Sequence, residues 1–285
     1  MTDPLARHIG VSERSGVLEP HNLVRFSARW ISPAADLSDV VDTYWSVEWR
    51  LPAGDAIEQR IVDYPAITLS VEEGDVPAPY VVTAVRPQAW SRVITGSGSV
   101  FAIRLRPAGL AVLSGLDARA LAPERELTAD LDERAFELLR KVSGAGERSR
   151  EADARIREHL AERPLTGMQQ LANRAVDALV ASPRVRTGRA VAAELGTSER
   201  TLQRALGETL GRGPNEVARR IRLQEVVRRL STTDADIVTV AADLGYTDQA
   251  HLTTEFRSVA GVTPGRYVRE LRRSQANLAG VVGDG

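Results

Sequence analysis

Two pairs of residues near the C-terminus have a spacing that affects backbone conformation and backbone hydrogen bonding: Gly196 with Ser198, and Gly245 with Thr247. Glycine readily takes the left-handed backbone conformation that commonly ends a helix. A serine or threonine two residues later can accept a hydrogen bond from an unpaired amide at the start of the next helix. Each pair therefore predicts a sharp turn between two helices.

The sequence contains no comparable pattern of residues for catalysis or for metal binding. The four histidines are scattered, and there is no cysteine to act as a nucleophile or a ligand. Gly96 and Gly98 lie between predicted strands, without the helix that a dinucleotide-binding fingerprint needs. Neither a G-x-S-x-G motif nor a phosphate-binding loop occurs. The sequence predicts a protein that is not an enzyme and that has no cofactor and no metal site.

The two turns belong to a repeated unit. Residues 192–200 and 241–249 each combine small residues, the glycine, the hydroxyl residue and an acidic residue that suits the start of a helix. This order is typical of a helix-turn-helix, which places its second helix in a groove of DNA. Leu202 lies six residues after its glycine, whereas Leu252 lies seven after its own, so the units are related but not identical.

A long helix is predicted between the two units, from Pro214 to about Leu230. Proline favours the first turn, and Val217, Ile221 and Val227 supply an interrupted apolar stripe. Such a helix is about 25 Å long. Together with the flanking turns, it could hold two helices near the pitch of about 34 Å that separates adjacent major grooves.

Charge is divided unevenly along the chain. The whole sequence has a net charge of −1, but residues 165–274 contain 17 arginines, no lysine and 12 acidic residues. The repeated units thus lie in the basic part, as neutralisation of DNA phosphates requires. The sequence has no apolar stretch of about eighteen residues and no signal-peptide core, so we expect a cytoplasmic protein without a membrane span.

The segment from about Leu165 to Arg273 resembles the DNA-binding domain of the AraC/XylS family of bacterial transcription regulators. The most specific part is residues 237–267, where the family pattern includes an aromatic residue after the glycine and Gly-x-Thr-Pro before a second aromatic. The matching residues are Ala241, Gly245, Tyr246, Thr247, Gln249, His251, Leu252, Phe256, Gly261, Thr263, Pro264 and Tyr267.

The resemblance implies which side chains contact DNA. Arginine can pair with guanine and glutamine with adenine through two hydrogen bonds, and threonine methyl groups can contact thymine. Many members have serine at Ala250 and arginine at Thr254, so the second helix is expected to bind more weakly or chiefly to position the domain. For His251, a phosphate contact and local packing are equally compatible with the sequence. The implied contacts are Arg200, Gln203 and Arg204 in the first unit, and Gln249, His251, Thr253 and Thr254 in the second.

The remainder of the chain completes a predicted α+β protein. In residues 100–106, Phe101, Ile103 and Leu105 alternate with smaller or polar residues, as expected for a strand with one buried face. We expect a mainly β N-terminal domain with trailing helices, and an all-α C-terminal domain in which the long helix joins the two helix-turn-helix units. The predicted bounds are a loose arm at 1–22, a sensing or dimerisation domain at 23–163 (β-rich at 41–106, helical at 110–162), a DNA-binding domain at 165–274 and a flexible tail at 275–285.

The N-terminal domain leaves alternatives open. Its aromatic residues could line a small-molecule pocket, but core packing is the simpler interpretation: Tyr44, Trp45, Trp49, Tyr64, Tyr80, Trp90 and Phe101. Taken with the resemblance, we expect a sequence-specific transcription regulator controlled by an effector. The alternatives are a domain that docks another protein and a constitutive regulator whose N-terminal half makes only protein contacts. The expected partners are double-stranded promoter DNA and, as candidates, a small-molecule effector, RNA polymerase and a second copy of the chain.

Overall fold

The structure is a computed structural model, and it describes residues 6–8, 16–182, 184, 188–232 and 236–282. Within these residues the N-terminal half forms antiparallel β-sheets followed by helices, and the C-terminal half is helical. The predicted α+β class is confirmed, with the β-rich and the all-α parts in the expected order.

Two antiparallel sheets make up the β structure. Nine strands are found in the described part of the chain: β1 (Ala6–His8), β2 (Phe26–Ile31), β3 (Val41–Arg50), β4 (Ala56–Ile61), β5 (Thr68–Gly74), β6 (Tyr80–Thr83), β7 (Trp90–Thr95), β8 (Ser97–Leu105) and β9 (Glu124–Glu126). The larger sheet has the order β1-β2-β3-β8-β5-β6-β9, and β4 pairs with β7 in a smaller one.

Helices and the smaller sheet cover opposite faces of the larger sheet. Helices α1 (Gly109–Leu113), α2 (Glu133–Ser143) and α3 (Arg148–Glu162) follow β8 in the chain. Phe101 and Ile103 of β8 pack with Leu138 of α2 in one core cluster. Ala102, between them, packs with Ile57 of β4 in another. The expectation that only one face of β8 is buried was therefore wrong, since the β4–β7 pair covers the face on which Ala102 lies.

Part of the segment expected to be a loose arm is ordered. Arg7 of β1 pairs with Trp30 of β2. Leu18 is buried, and it packs with Val62 and with residues of the C-terminal half. These contacts have no local sequence signal, because their partners lie far along the chain.

Seven helices form the C-terminal half within the described residues. They are α4 (Gly167–Ala181), α5 (Gly188–Glu194), α6 (Glu199–Leu210), α7 (Pro214–Thr232), α8 (Ile237–Asp243), α9 (Gln249–Ala260) and α10 (Pro264–Val282). Helices α5 and α6 form the first helix-turn-helix, α8 and α9 form the second, and α7 joins the two. Helix α10 extends through much of the segment expected to be a flexible tail, because residues 267–279 contain no proline or glycine to end it.

The second helix of each unit, α6 in the first and α9 in the second, is here named the reading helix. The two reading helices begin with different caps. Ser198 caps α6 as expected, because its Oγ accepts a hydrogen bond from the amide of Thr201 at 3.1 Å. The cap of α9 is Asp248, whose Oδ1 accepts from the amide of His251 at 2.7 Å. The prediction of Thr247 as this cap was wrong. The cap lies one residue further from the glycine in the second unit, which accounts for the different leucine spacing of the two copies.

Candidate DNA-binding surface

The first helix-turn-helix turns at Gly196, which has a φ of 61°. The amide of Thr197 donates to the carbonyl of Ala192 at 2.9 Å and closes the end of α5. Leu202 and Leu206 of α6 are fully buried in a cluster with residues of α4 and α7. This packing fixes which side of α6 faces the solvent.

Three predicted contact residues lie on the solvent side of α6: Arg200, Gln203 and Arg204 are all exposed. Among the described residues, none forms a hydrogen bond or an ion pair with the side chain of Arg200 or Arg204. The side-chain amide of Gln203 lies over the turn after α6. A Cβ atom added at Gly213 in this turn would be 2.8 Å from the Nε2 atom of Gln203. The two arginine side chains are therefore available to a ligand, whereas the Gln203 side chain lies against Gly213.

The second unit is built around a buried tyrosine. Gly245 has a φ of 73°, and Tyr246 directly after it is buried. The Tyr246 hydroxyl donates to Glu255 of α9 at 2.8 Å. Burial and the negative charge of Glu255 raise the pKa of Tyr246, so the hydroxyl remains a donor at neutral pH. Arg222 of α7 lies 4.6 Å over the tyrosine ring and also pairs with Glu255, which holds α7 against α9.

The four predicted residues of α9 differ in exposure. Gln249, His251 and Thr254 are exposed, whereas Thr253 is half-buried. The His251 ring meets the edge of Tyr246 at 5.3 Å between centroids, so its imidazole takes part in local packing while it stays open to solvent. The structure therefore leaves three of the four side chains exposed to solvent.

The N-terminal half contacts the C-terminal ends of both reading helices. At the end of α6, a Cβ added at Gly211 would lie 2.3 Å from the carbonyl oxygen of Ala118. At the end of α9, the amide of Ala89 donates to the carbonyl of Val259 at 2.9 Å, and Arg60 donates to that of Ala260 at 3.2 Å. The N-terminal ends of both helices remain exposed, because these contacts are confined to the opposite ends.

A buried ion pair joins the two halves at α7. Arg220 is only 4% exposed, and its guanidinium donates to the carbonyls of Arg86 and Gln88 at 2.7 Å each. The same group lies 2.9 Å from Asp63, which follows β4. Burial raises the pKa of Asp63 to about 6, although the positive charges of Arg220 and Arg86 oppose this. Sequence reasoning missed this pair, since its members are far apart in the chain.

A cavity of about 550 Å³ lies between the two sheets of the N-terminal half. The structure divides the aromatic residues named from the sequence into two groups. Tyr44, Tyr80 and Phe101 belong to the helix-covered core. The cavity is lined by the other four, together with two that sequence reasoning did not single out: Trp45, Trp49, Tyr64 and Trp90, with Phe26 and Trp30.

Two family models match separate parts of the chain. A helix-turn-helix domain matches residues 191–270, and a domain of unknown function (DUF6597) matches residues 29–126. A putative AraC-like transcription regulator of Streptomyces antibioticus is 32% identical over 77 residues, which make up 27% of this chain and 25% of that protein. The C-terminal half carries an AraC-type helix-turn-helix domain.

The AraC-type domain is also the part shared with another curated relative. The HTH-type transcriptional activator RhaS of Pectobacterium carotovorum is 38% identical over 65 residues, 23% of each chain. This chain thus spans about a quarter of the length of the curated relatives it matches. Among solved structures, ToxT from Vibrio cholerae aligns over 80% of this chain and 98% of its own, with 11% identity and a TM-score of 0.45. An AraC-type regulator from Chromobacterium violaceum aligns over 37% and 95%, with 24% identity and a TM-score of 0.35.

The described residues contain neither a metal-binding cluster nor a membrane-spanning helix. No group of three or more His, Asp or Glu side chains is placed to hold a metal ion in the part of the chain that the structure describes. None of the helices within that part is long and apolar enough to cross a membrane.

Proposed function

We propose that this protein is a sequence-specific DNA-binding transcription regulator. The observation that carries the proposal is the pair of capped helix-turn-helix units, whose reading helices both present exposed polar side chains and whose connection is the single helix α7. A helix of 19 residues is about 28 Å long. One chain could therefore place a helix in each of two successive major grooves.

The proposed DNA contacts differ between the two helices. Arg200 and Arg204 supply direct contacts to guanine or phosphate, because both guanidinium groups are exposed and unpaired within the described structure. Gln203 joins them when it leaves the Gly213 turn. Helix α9 contributes Gln249, His251, Thr253 and Thr254, which include no arginine and therefore chiefly position the domain.

Effector control by the N-terminal half is the second part of the proposal. This half contacts both reading helices, so a change in its conformation would alter how the two are presented together. A ligand can shift such an equilibrium only as far as its affinities for the two states differ. The cavity between the sheets supports effector control over the alternative of a constitutive regulator with a purely structural N-terminal half.

Selection of genomic DNA fragments by the purified full chain tests the DNA-binding part. We expect one enriched site with two half-motifs about ten base pairs apart, which is one turn of DNA. A variant with Arg200→Ala and Arg204→Ala should lose the enrichment. Arg150→Ala, at an exposed position on α3, is the matched control and should keep it. Lack of enrichment by the wild type would contradict the proposal.

Two further partners, RNA polymerase and a second copy of the chain in a homodimer, remain predictions. The proposed location is the cytoplasm, where promoter DNA is accessible. The constitutive alternative predicts a DNA affinity that no compound changes, so titration of the selected site with and without candidate ligands separates it from effector control.

A further inference from the structure

All four tryptophans of the chain line the cavity in the N-terminal half. Trp30 of β2, Trp45 and Trp49 of β3, and Trp90 of β7 all line it. Tryptophan offers large apolar faces that favour stacking with aromatic rings. A space of about 550 Å³ is within the range typical of small-molecule sites.

The charged groups of this wall are unfavourable for an anionic ligand. Arg92 pairs with Glu72 at 2.6 Å and with Glu124 at 3.0 Å. The other lining arginine, Arg104, pairs with Asp42 and lies 5.1 Å over the ring of Trp30. Both guanidinium groups of the lining are therefore already neutralised by carboxylates. An anion would have to displace one of these carboxylates, whereas a neutral or cationic molecule would not.

Helix α7 of the AraC-type domain contributes directly to the wall. Gln224 lines the cavity, one turn along α7 from Arg220. Asp63 also lines it and forms the buried ion pair with Arg220 at 2.9 Å. A molecule in the cavity would thus lie against the helix that joins the two helix-turn-helix units.

We propose that this cavity binds an aromatic molecule that carries no anionic group, and that the bound molecule acts on the reading helices through Asp63, Arg220 and Gln224. The binding half of this inference, which concerns the occupant of the cavity, is independent of the proposed function. The regulatory half, which concerns the effect on the reading helices, rests on the proposed function. The occupant contacts Gln224 and the Asp63 side chain, so it favours the position of α7 in which these contacts form. Helices α6 and α8 adjoin the two ends of α7, so a shift of α7 changes the placement of both units.

Calorimetric titration of the full chain with three two-ring probes of similar shape tests the binding half. The probes are 1-methylnaphthalene, which is neutral, 1-methylquinolinium, which is a cation, and 1-naphthoate, which is an anion. We expect saturable binding of the first two, each at least tenfold tighter than that of 1-naphthoate. Equal or tighter binding of 1-naphthoate, or no binding of any probe, overturns the inference.

A variant that fills the cavity locates the binding. Ala28 lines the cavity from β2, and Ala28→Trp should abolish binding of 1-methylnaphthalene. Val180→Trp adds the same side chain at an exposed position at the end of α4 and should leave binding unchanged. Unfolding by heat shows whether each variant is folded. If a folded Ala28→Trp binds as the wild type does, the probe occupies another place and the assignment is wrong.

The regulatory half is tested on the selected DNA site. A saturating concentration of 1-methylnaphthalene should change the DNA affinity of the wild type at least threefold. Gln224→Ala should reduce this effect even at a probe concentration that saturates the variant. DNA binding that the bound probe does not alter overturns the regulatory half. If the chain binds the probe but selects no DNA, the proposed function fails while the cavity assignment stands, and if it selects DNA but binds no probe, the reverse holds.

Discussion

Arginine side chains of the C-terminal half fall into two groups according to their partners. Arg219 and Arg222 of α7 pair with Glu255, and Arg229 pairs with Asp243. These guanidinium groups hold the domain together. Arg200 and Arg204, in contrast, have no partner among the described residues and lie on the exposed side of α6. A guanidinium that folding leaves exposed and unpaired can bind DNA without first losing an internal contact.

Replacement of Arg204 by alanine should weaken binding to the selected site by about 1–3 kcal/mol and relax the preference at one base pair. Stability should stay unchanged, because the side chain has no partner to lose within the described structure. Competition binding with single-base variants of the site measures both effects. An unchanged affinity and base preference would remove Arg204 from the contact set.

Replacement of Thr254 by arginine should tighten DNA binding generally and steepen its salt dependence by about one unit per added phosphate contact. Thr254 is exposed on α9, so the longer side chain can extend into solvent without disturbing the core. Titrations at several salt concentrations measure the slope, and Thr254→Gln controls for length without charge. A weaker complex at low salt would show that this face of α9 does not approach DNA.

At the scale of elements, the two helix-turn-helix units show how one motif tolerates a shifted cap. Ser198 caps α6 two residues after its glycine, whereas Asp248 caps α9 three residues after Gly245. Both reading helices end at a glycine in the left-handed conformation, Gly211 at a φ of 69° and Gly261 at 73°. The turns before and after each reading helix therefore fix its limits, and the buried leucines fix its rotation.

Loss of the α9 cap tests this assignment. Asp248→Ala should lower the free energy of unfolding by about 1 kcal/mol, because the amide of His251 loses its acceptor. Thr247→Ala, one residue earlier and also exposed, should change it by less than about 0.5 kcal/mol. Urea unfolding followed by circular dichroism compares the two. A larger loss for Thr247→Ala would return the cap to the residue predicted from sequence.

At the scale of the whole molecule, the N-terminal half is a common support for both units. It reaches α6 at Gly211, α7 at Arg220, and α9 at Val259 and Ala260. The ion pair of Arg220 with Asp63 is one of these contacts and is largely removed from water. Burial of such a pair costs solvation free energy, so its presence makes the junction sensitive to the charge of Asp63.

The raised pKa of Asp63 predicts a pH effect on stability. Between about pH 4 and about pH 6 the folded chain holds the Asp63 proton more tightly than the unfolded chain does, so the contribution of this group to stability decreases as pH rises. The difference in free energy of unfolding, wild type minus Asp63→Asn, should therefore decrease across this window.

Urea unfolding at several pH values measures that difference, and Glu73→Gln provides a control of opposite sign. A hydrogen bond from Arg148 lowers the pKa of Glu73. The difference in free energy of unfolding, wild type minus Glu73→Gln, should therefore increase as pH rises. A flat profile for Asp63→Asn would show that Asp63 is not desolvated in the folded chain.

The sequence by itself determined the features that depend on local interactions. Glycine turns, the Ser198 cap and the apolar spacing of α6 and α9 predicted both helix-turn-helix units, because a helix end is specified within a few residues. The strands β4 and β7 were not predicted, since their pattern is interrupted by polar residues such as Gln59 and Arg92 that face the cavity. Only the tertiary structure decided which tryptophans line a cavity and that Asp63 meets Arg220. Such contacts join residues that are far apart in the chain, by as much as 250 positions for the Tyr267 hydroxyl and the carbonyl of Val17, and no local pattern encodes such a pairing.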